Sequence, residues 1–153
     1  MLKRLFKVLL PLLMVALLIT GCGSTLPTGT DITGGSVSQI TENGAYTSKE
    51  DVALYIHTYQ KLPSNFITKK EAQKLGWDSQ KGNLDKVAKS KSIGGDRFGN
   101  YDKKLPEAKG RTWKECDINY KGGYRGAERI IYSSDGLIYY TNDHYKSFEE
   151  IIF

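Results

Sequence analysis

The sequence predicts an α+β domain in which N-terminal helices pack on a C-terminal antiparallel β-sheet. Two helix-capping patterns, at Ser48 and Thr68, each precede a helical pattern in the first part of the folded chain. After Gly94 the pattern changes to short segments that are rich in β-branched and aromatic residues, and an Asp135-Gly136 pair separates the last two of them. Helices first and strands afterwards are typical of an α+β domain.

The first helix is predicted directly after Ser48. Ser48 and Asp51 form the S-x-x-acid pattern of a helix start, and apolar residues then recur at near-helical spacing as far as Tyr59. Pro63 ends the pattern, because the residue before a proline is pushed out of the helical conformation. The folded part of the chain is therefore expected to open with a helix that ends before Pro63.

The second helix is predicted directly after Thr68. Thr68 and Glu71 have the spacing of a capping box, in which the threonine oxygen accepts a hydrogen bond from the backbone of the first turn. Gly76 is suited to closing this helix, because glycine readily adopts the left-handed conformation found after helix ends. A third, weaker helical pattern covers residues 83–90.

Three segments predict strands, "RTWKECDI", "AERIIYSS" and "GLIYYTND". The Asp135-Gly136 pair predicts a hairpin between the last two, and a two-residue loop would place Arg129 opposite Asn142. Because side chains alternate between faces, His144 is then expected on the same side as Arg129. A bulge or a longer loop would change this register.

The first 47 residues are predicted to be an export signal followed by a tether. A basic head is followed by 12 apolar residues, fewer than the roughly 20 that span a bilayer, so residues 1–21 predict an export signal. Its end, "LITGC", resembles the lipobox of bacterial lipoproteins, which implies a lipid on Cys22; the alternative is a plain secretory peptide in which Cys22 is incidental. Residues 22–47 are rich in Ser, Thr and Gly and predict a flexible tether, which leaves one domain at residues 48–153. The expected location is the extracellular side of the cell membrane, with a lipid anchor, or the medium.

Charge and cysteine content narrow the possible functions only slightly. The whole chain has a net charge of +5, but without the signal 19 basic and 17 acidic residues remain, so bulk charge says little about a polyanionic partner. If Cys22 carries lipid, Cys116 is the one remaining cysteine and no disulfide framework exists. Cys116 lies in a strand pattern and is predicted to be a small buried hydrophobe. No zinc or calcium ligand spacing is present.

Several blocks of the sequence, in order and with matching spacing, resemble one known family. The blocks are "TYQKLPSNFITKKEAQKLGW", "KGNL", "SIGGDRFGN", "GRTW", "DINY", "GYR" and "RIIYSSDGLIYYTNDHYKSF". They are similar to the barnase-like secreted microbial guanyl ribonucleases, from about Ser48 to the C-terminus. The resemblance implies the microbial ribonuclease fold and an endoribonuclease that cleaves single-stranded RNA, preferentially after guanosine, without a cofactor. It also implies a cytoplasmic inhibitor of barstar type, and we expect a monomer.

The resemblance assigns catalytic roles to five residues of these blocks. Glu115 matches the general base and His144 the general acid. Arg125 and Arg129 match the phosphate-binding arginines, and Lys69 matches the lysine that helps to stabilise the transition state. These groups are therefore expected to converge on one scissile phosphate.

The chemistry of metal-free RNA cleavage explains why such a set is needed. A carboxylate must take the proton of the 2'-hydroxyl nucleophile while a second group protonates the departing 5'-oxygen. A glutamate is ionised at neutral pH and an imidazole is partly protonated, which fits the roles of base and acid. Guanidinium groups bind two phosphoryl oxygens at once. Asp117, two residues from Glu115 on the same strand face, is predicted to pair with Arg125 or Arg129 and hold it in place.

Substrate binding is predicted in the loop "RFGNYDKKLP". In the family, backbone N–H groups of this loop and one carboxylate address the guanine edge while an aromatic ring offers stacking. The matching residues here are Phe98, Gly99, Asn100, Tyr101 and Asp102. Tyr145, which follows His144, is also predicted to bind substrate.

This loop departs from the family at three positions. Gly99 stands where serine is common, Tyr101 replaces the usual arginine, and Asp102 replaces the glutamate. Aspartate is one methylene shorter than glutamate, so its hydrogen bonds to guanine lengthen unless the loop moves inward. The guanine preference is therefore expected to be weaker than is usual in the family.

Each of these residues also has a structural interpretation. Glu115 taken alone resembles a solvated strand residue, His144 a surface histidine, and the arginines solvated edge charges. Lys69 in a first helical turn would ordinarily face solvent. Two other functions therefore stay open at this point, a non-catalytic envelope lipoprotein that binds RNA or another polyanion, and an envelope scaffold.

Overall fold

A computed structural model of the chain describes residues 39–153. The predicted signal peptide at residues 1–21, the predicted lipidation site Cys22 and residues 22–38 of the predicted tether lie outside the described residues. Among residues 39–153, no helix has the length and hydrophobicity that crossing a bilayer requires.

Three helices and six strands follow one another along the domain. They are α1 (Lys49–Tyr59), β1 (Phe66–Ile67), α2 (Lys69–Lys74), α3 (Leu84–Val87), β2 (Ser92–Phe98), β3 (Trp113–Asp117), β4 (Arg129–Ser133), β5 (Ile138–Thr141) and β6 (Glu149–Glu150). The six strands form one sheet in sequence order, parallel between β1 and β2 and antiparallel elsewhere. The predicted α+β fold is confirmed.

The two faces of the sheet bury different clusters. Helix α1 packs on one face, where Val52, Ile56, Cys116 and Ile130 belong to the same core. Burial raises the pKa of the Cys116 thiol well above its ordinary value, as expected of a small hydrophobe in a core. The opposite face buries a second cluster, which contains Leu105, Trp113, Ile131 and Tyr139. The predicted site residues of β3 and β4 point to this second face.

Both predicted helix starts are formed as the capping patterns require. The Ser48 oxygen accepts a hydrogen bond from the backbone N–H of Asp51 at 3.1 Å. At the second start the Thr68 oxygen accepts from the backbone N–H of Glu71, and the Glu71 carboxylate accepts from the backbone N–H of Thr68 at 2.8 Å. This reciprocal pair fixes the first turn of α2, which begins with the predicted site residue Lys69.

The predicted boundary at residue 48 needs a correction, because residues 41–47 pack on the domain rather than forming part of a flexible tether. The hydroxyl of Tyr55 donates to the carbonyl of Glu42 at 2.6 Å, and the side chain of Asn65 bonds to both backbone groups of Tyr46. The backbone N–H of Asn119 also donates to the carbonyl of Thr47 at 2.8 Å. These hydrogen bonds join residues that are far apart in the sequence, so the local composition does not reveal them.

The predicted hairpin register is wrong by one residue. Arg129 pairs with Thr141, not with Asn142. The N–H of Ser133 donates to the carbonyl of Leu137 at 2.9 Å, so the loop has three residues instead of two. Its last residue, Gly136, has a φ of +98°, a left-handed conformation that accommodates the extra residue of a hairpin loop. The inference that placed His144 beside Arg129 by strand alternation therefore fails, and the chain reaches that position by another route.

Candidate active site

Glu115 is the centre of the site and is almost completely buried, with 6% of its surface exposed. Strand β3 carries it on the face opposite helix α1, between Asp96 of β2 and Ile131 of β4. The Nζ of Lys69 donates to Oε1 of Glu115 at 2.6 Å, and the hydroxyl of Tyr145 donates to Oε2 at 2.6 Å. Both carboxylate oxygens are therefore held by donors from other parts of the chain.

These donors control the ionisation of the carboxylate. Burial raises the pKa of Glu115, but the hydrogen bonds from Lys69 and Tyr145 and the nearby positive charges together hold this pKa below its ordinary value. The positive charge of Arg129 acts in the same direction. Glu115 is thus an anion at neutral pH in spite of its burial. Burial, together with the hydrogen bond to Glu115, raises the pKa of the Tyr145 phenol.

Asp117 joins the two arginines, as its position two residues after Glu115 predicts. It faces Arg129 directly across β3 and β4, with 2.9 Å between Oδ1 of Asp117 and Nε of Arg129. This contact is an ion pair whose N–H is not aligned for a hydrogen bond. Arg125 makes a two-pronged contact with the same carboxylate, at 2.6 Å from Nε and 2.7 Å from Nη2. Asp117 is 2% exposed, so one buried anion holds both cations.

The two guanidinium groups differ in freedom. Arg129 is 3% exposed, and its Nη1 donates to the carbonyls of Gly126 and Glu128 at 2.8 and 2.7 Å. Arg125 keeps 20% of its side chain exposed and lies over the ring of Trp77, 5.9 Å from the centroid. Arg129 is therefore held by Asp117 and by two backbone carbonyls, whereas the Arg125 side chain is partly exposed to solvent.

His144 lies in the loop that follows β5 and is exposed. Both His144 and Tyr145 have left-handed backbone conformations, with φ of +57° and +70°, which non-glycine residues seldom adopt. Asp143 holds this turn, because its carboxylate accepts hydrogen bonds from the backbone and the hydroxyl of Ser147 at 3.0 and 2.6 Å. The hydroxyl of Thr141 also donates to Asp143, at 2.8 Å. This turn, rather than strand alternation, places His144 in the same groove as Arg129.

That groove, here called the arginine groove, has a volume of about 460 Å³. It is lined by Trp77, Ser79, Gly82, Gly123, Tyr124, Arg125, Gly126, Ala127, Arg129 and His144. Tyr145 connects it to the base of the site, since it follows His144 in the chain, its ring lies 4.7 Å from the imidazole, and its hydroxyl bonds to Glu115. The predicted catalytic residues Lys69, Glu115, Arg125, Arg129 and His144 are thus brought together in one site.

The predicted recognition residues line a second groove, here called the loop groove, of about 220 Å³. Its lining consists of Phe98, Gly99, Asn100, Tyr101, Asp102, Lys104, Tyr145 and Phe148. Among residues 39–153, none accepts a hydrogen bond from the backbone N–H of Gly99, Asn100 or Tyr101. The Asp102 side chain is 79% exposed, and its nearest cation is Lys104 at 3.9 Å. The loop therefore offers free N–H donors and an accessible carboxylate on one side of Tyr145.

Two side chains of the site were not predicted from the sequence. Asp96 accepts a hydrogen bond from the backbone N–H of Lys69 at 2.9 Å and so positions the start of α2 beside Glu115. Asp143 forms the turn described above, and hydrogen bonds from Ser147 lower its pKa well below the ordinary value. The "DHYKS" segment holds the signal for Asp143, because an aspartate readily caps backbone N–H groups three and four residues ahead. Asp96 depends on contacts between distant parts of the chain and had no local signal.

Comparisons with known proteins agree with this site. A family model described as ribonuclease matches residues 49–152. The chain belongs to the ribonuclease family. A ribonuclease of Heyndrickxia coagulans is 56% identical over 102 residues, which cover 67% of this chain and 94% of that protein. Ribonucleases of Bacillus intermedius and Bacillus pumilus are also 56% identical over 102 residues, and the match spans 63% of their own length.

Membership in this family confirms the predicted resemblance to microbial ribonucleases. The matched residues run from the start of α1 to the residue before the C-terminus, so they include the whole cluster around Glu115 and the loop groove. The family and the names of the relatives support an enzyme with ribonuclease activity and RNA as its substrate.

Proposed function

We infer that this protein is an extracellular endoribonuclease that cleaves single-stranded RNA, preferentially after guanosine, by metal-free transesterification. The Glu115 carboxylate takes the proton of the 2'-hydroxyl, and the 2'-oxygen attacks the adjacent phosphorus. The bond from phosphorus to the 5'-oxygen breaks, and His144 gives that oxygen its proton. The product is a 2',3'-cyclic phosphate, which water opens with the two residues exchanging roles.

The observation that carries this proposal is the environment of Glu115. A buried carboxylate that is kept ionised by Lys69 and Tyr145 has little use in a sheet that only needs stability, since burying a charge is costly. It suits a general base that must be ready to accept a proton at neutral pH. Its neighbours Lys69 and Arg129 are cations, which suits a site where negative charge develops on phosphoryl oxygens.

The arginines are proposed to bind the scissile phosphate through the donors that Asp117 leaves free. Among residues 39–153, none accepts a hydrogen bond from Nη2 of Arg129 or from Nη1 of Arg125. Because Asp117 fixes the other side of each fork, these donors are oriented before substrate binds, and less side-chain entropy is lost on binding.

The mechanism is tested by incubating the purified protein with RNA in the presence of EDTA and looking for 2',3'-cyclic phosphate ends. Glu115→Gln and His144→Ala should each lower the rate of transesterification by roughly 10² to 10⁴, with the folded structure retained by circular dichroism. Glu50→Gln is the matched control, because Glu50 is an exposed carboxylate on α1 far from the site in the fold. A substrate with 2'-deoxyguanosine at the cleavage position must stay intact, and its cleavage would overturn the mechanism.

Guanine preference is proposed to come from the loop groove. The free N–H groups of residues 99–101 and the carboxylate of Asp102 would bind the guanine edge, with Phe98 supporting the pocket and Tyr145 closing its inner wall. The test compares kcat/KM for the dinucleotides GpA, ApA and UpA. GpA should be preferred, and Asp102→Ala should reduce that preference while the turnover of bound substrate changes less. A preference for a pyrimidine before the cleaved bond would show that this loop does not read guanine.

Location and partners are proposed from the leader sequence and the family. Labelled fatty acid should enter the precursor and should not enter the Cys22→Ala variant; an unlabelled wild-type protein would exclude the lipid anchor. A cytoplasmic, acidic inhibitor of barstar type is proposed because an active ribonuclease is harmful inside a cell. An unaltered host that tolerates the leaderless active enzyme would contradict this. We propose a monomer, which light scattering of the leaderless protein would test.

A further inference from the structure

The loop of residues 98–102, here called the recognition loop, lines another groove besides the loop groove. This outer groove has a volume of about 250 Å³ and shares Phe98, Gly99, Asn100 and Tyr101 with the loop groove. Its remaining lining consists of Arg97, Glu107, Ala108, Arg111, Thr112 and Trp113. The loop therefore forms a wall with a groove on each face, and a strand of RNA that leaves one groove over the loop enters the other.

Tyr101 stands on top of this wall and is 93% exposed. Its ring lies directly over the Cα of Gly99, since a side chain added at Gly99 would come within 2.2 Å of Cε2 of the ring. Glycine at position 99 is therefore what allows the tyrosine to lie there, and the two departures from the family are one structural change. An exposed ring supported by the backbone loses solvent contact only when another flat group covers it, as a nucleic-acid base does in stacking.

Arg97 supplies a free positive charge to the groove that Tyr101 also lines. It is exposed and lies directly opposite Lys114 across β2 and β3, an arrangement of like charges that destabilises a sheet. Among residues 39–153, no carboxylate lies within ion-pair distance of Arg97. The other charges of the outer groove are compensated, since Arg111 pairs with Asp135 at 2.7 Å and Glu107 lies 3.9 Å from Lys103. An unpaired guanidinium in such a groove is suited to binding a phosphate.

The direction of the RNA follows from the proposed function, on which this step rests. With guanine in the loop groove and its 3'-phosphate beside Glu115, the departing nucleotide lies on the His144 side, in the arginine groove. The chain on the 5' side of guanosine must then pass over Tyr101. We propose that the outer groove is a binding site for the nucleotide that precedes guanosine, with its base stacked on Tyr101 and the phosphate between the two nucleosides bound by Arg97.

The test compares ApGpA and pGpA with GpA as substrates for cleavage after guanosine. In the wild-type protein the added nucleotide should raise kcat/KM by about 5-fold to 100-fold, the range expected for one stacked base. For each variant, kcat/KM for ApGpA or pGpA is divided by kcat/KM for GpA, so that a change in the cleavage of GpA itself cancels. Tyr101→Ala should abolish most of the gain with ApGpA but not the gain with pGpA, whereas Tyr101→Phe should keep both. Arg97→Ala should remove the gain with pGpA and lower the salt dependence of the reaction with ApGpA.

Two further variants sharpen the result. Gly99→Ala should lower the ApGpA ratio, because the new methyl group displaces the Tyr101 ring. Lys89→Ala removes an exposed positive charge that lines none of the three grooves, and both ratios should stay at their wild-type values. A wild-type ApGpA ratio below about twofold, or an ApGpA ratio that stays at its wild-type value in Tyr101→Ala, would overturn the outer site.

Binding distinguishes failure of this site from failure of the proposed reaction. The uncleavable trimer with 2'-deoxyguanosine should bind more tightly than the corresponding dimer by a similar factor, and calorimetry with Tyr101→Ala should show that the difference is lost. If GpA is not cleaved but this difference in binding is found, the outer site stands and the proposed reaction falls. If GpA is cleaved and the difference is absent, the reaction stands and the outer site is wrong.

Discussion

Replacing Asp117 with asparagine tests how the site is held together. Asp117 is 2% exposed and is the shared anion of Arg125 and Arg129, whose side chains are 20% and 3% exposed. Asparagine keeps the shape of aspartate but removes its charge, so two cations lose their partner, and Arg129 is too buried for water to replace it. Removing one partner of a buried ion pair typically costs about 3 to 5 kcal/mol of the free energy of unfolding. For a domain of this size the lower value corresponds to a fall in Tm of roughly 12 °C.

The assay is urea unfolding at pH 7, followed by tryptophan fluorescence, with Asp135→Asn as the matched control. Asp135 also makes a two-pronged contact with an arginine, Arg111, at 2.7 to 2.9 Å, but 47% of its side chain is exposed. Ion pairs in contact with water contribute little to stability, so Asp135→Asn should destabilise the domain far less than Asp117→Asn. If Asp117→Asn costs less than about 1 kcal/mol, or no more than Asp135→Asn, the buried anion does not hold the arginines in the way described.

Two further predictions concern the base and the acid. Lys69→Ala removes the hydrogen bond that helps to keep the pKa of Glu115 low, so this pKa should rise and the acid limb of the kcat/KM profile should move to higher pH. Lys70→Ala changes the exposed neighbouring lysine and should leave the limb in place. An unmoved limb in Lys69→Ala would contradict the role given to Lys69. Asp143→Ala removes the acceptor that holds the left-handed turn at His144, so kcat should fall about tenfold or more with little change in the guanine preference. Asp143→Asn should recover part of the rate, and full activity in Asp143→Ala would show that the turn needs no such support.

The elements that depend on neighbours in the chain were predictable from the sequence. The caps at Ser48 and Thr68 are hydrogen bonds between residues three apart, so the pattern that specifies them is local. The position of Asp117 was predictable for the same reason, because residues two apart in a strand share a face. What the strand pattern does not contain is that this one carboxylate would hold both arginines.

The hairpin and the N-terminal boundary show where local patterns end. The loop after β4 takes a third residue because the N–H of Leu137 finds an acceptor in the hydroxyl of Ser133, at 2.8 Å, and Gly136 tolerates a left-handed conformation. Both loop lengths are compatible with an Asp-Gly pair, and the choice between them depends on this side-chain bond. Residues 41–47 have the composition of a linker, yet Asn65 binds the backbone of Tyr46 from 19 residues away. Such contacts depend on the folded structure and not on composition.

The environment of Glu115 resolves a conflict between ionisation and base strength. A general base must be ionised before reaction, which favours a low pKa, but it must also attract a proton, which favours a high one. In the free protein the hydrogen bond from Lys69 serves the first need and opposes the second. Lys69 keeps 40% of its side chain exposed, so a phosphate that binds beside Glu115 competes for the same ammonium group. In the proposed mechanism Lys69 would turn to the bound phosphate, the carboxylate would lose a donor that lowers its pKa, and its basicity would rise once the substrate phosphate is in place.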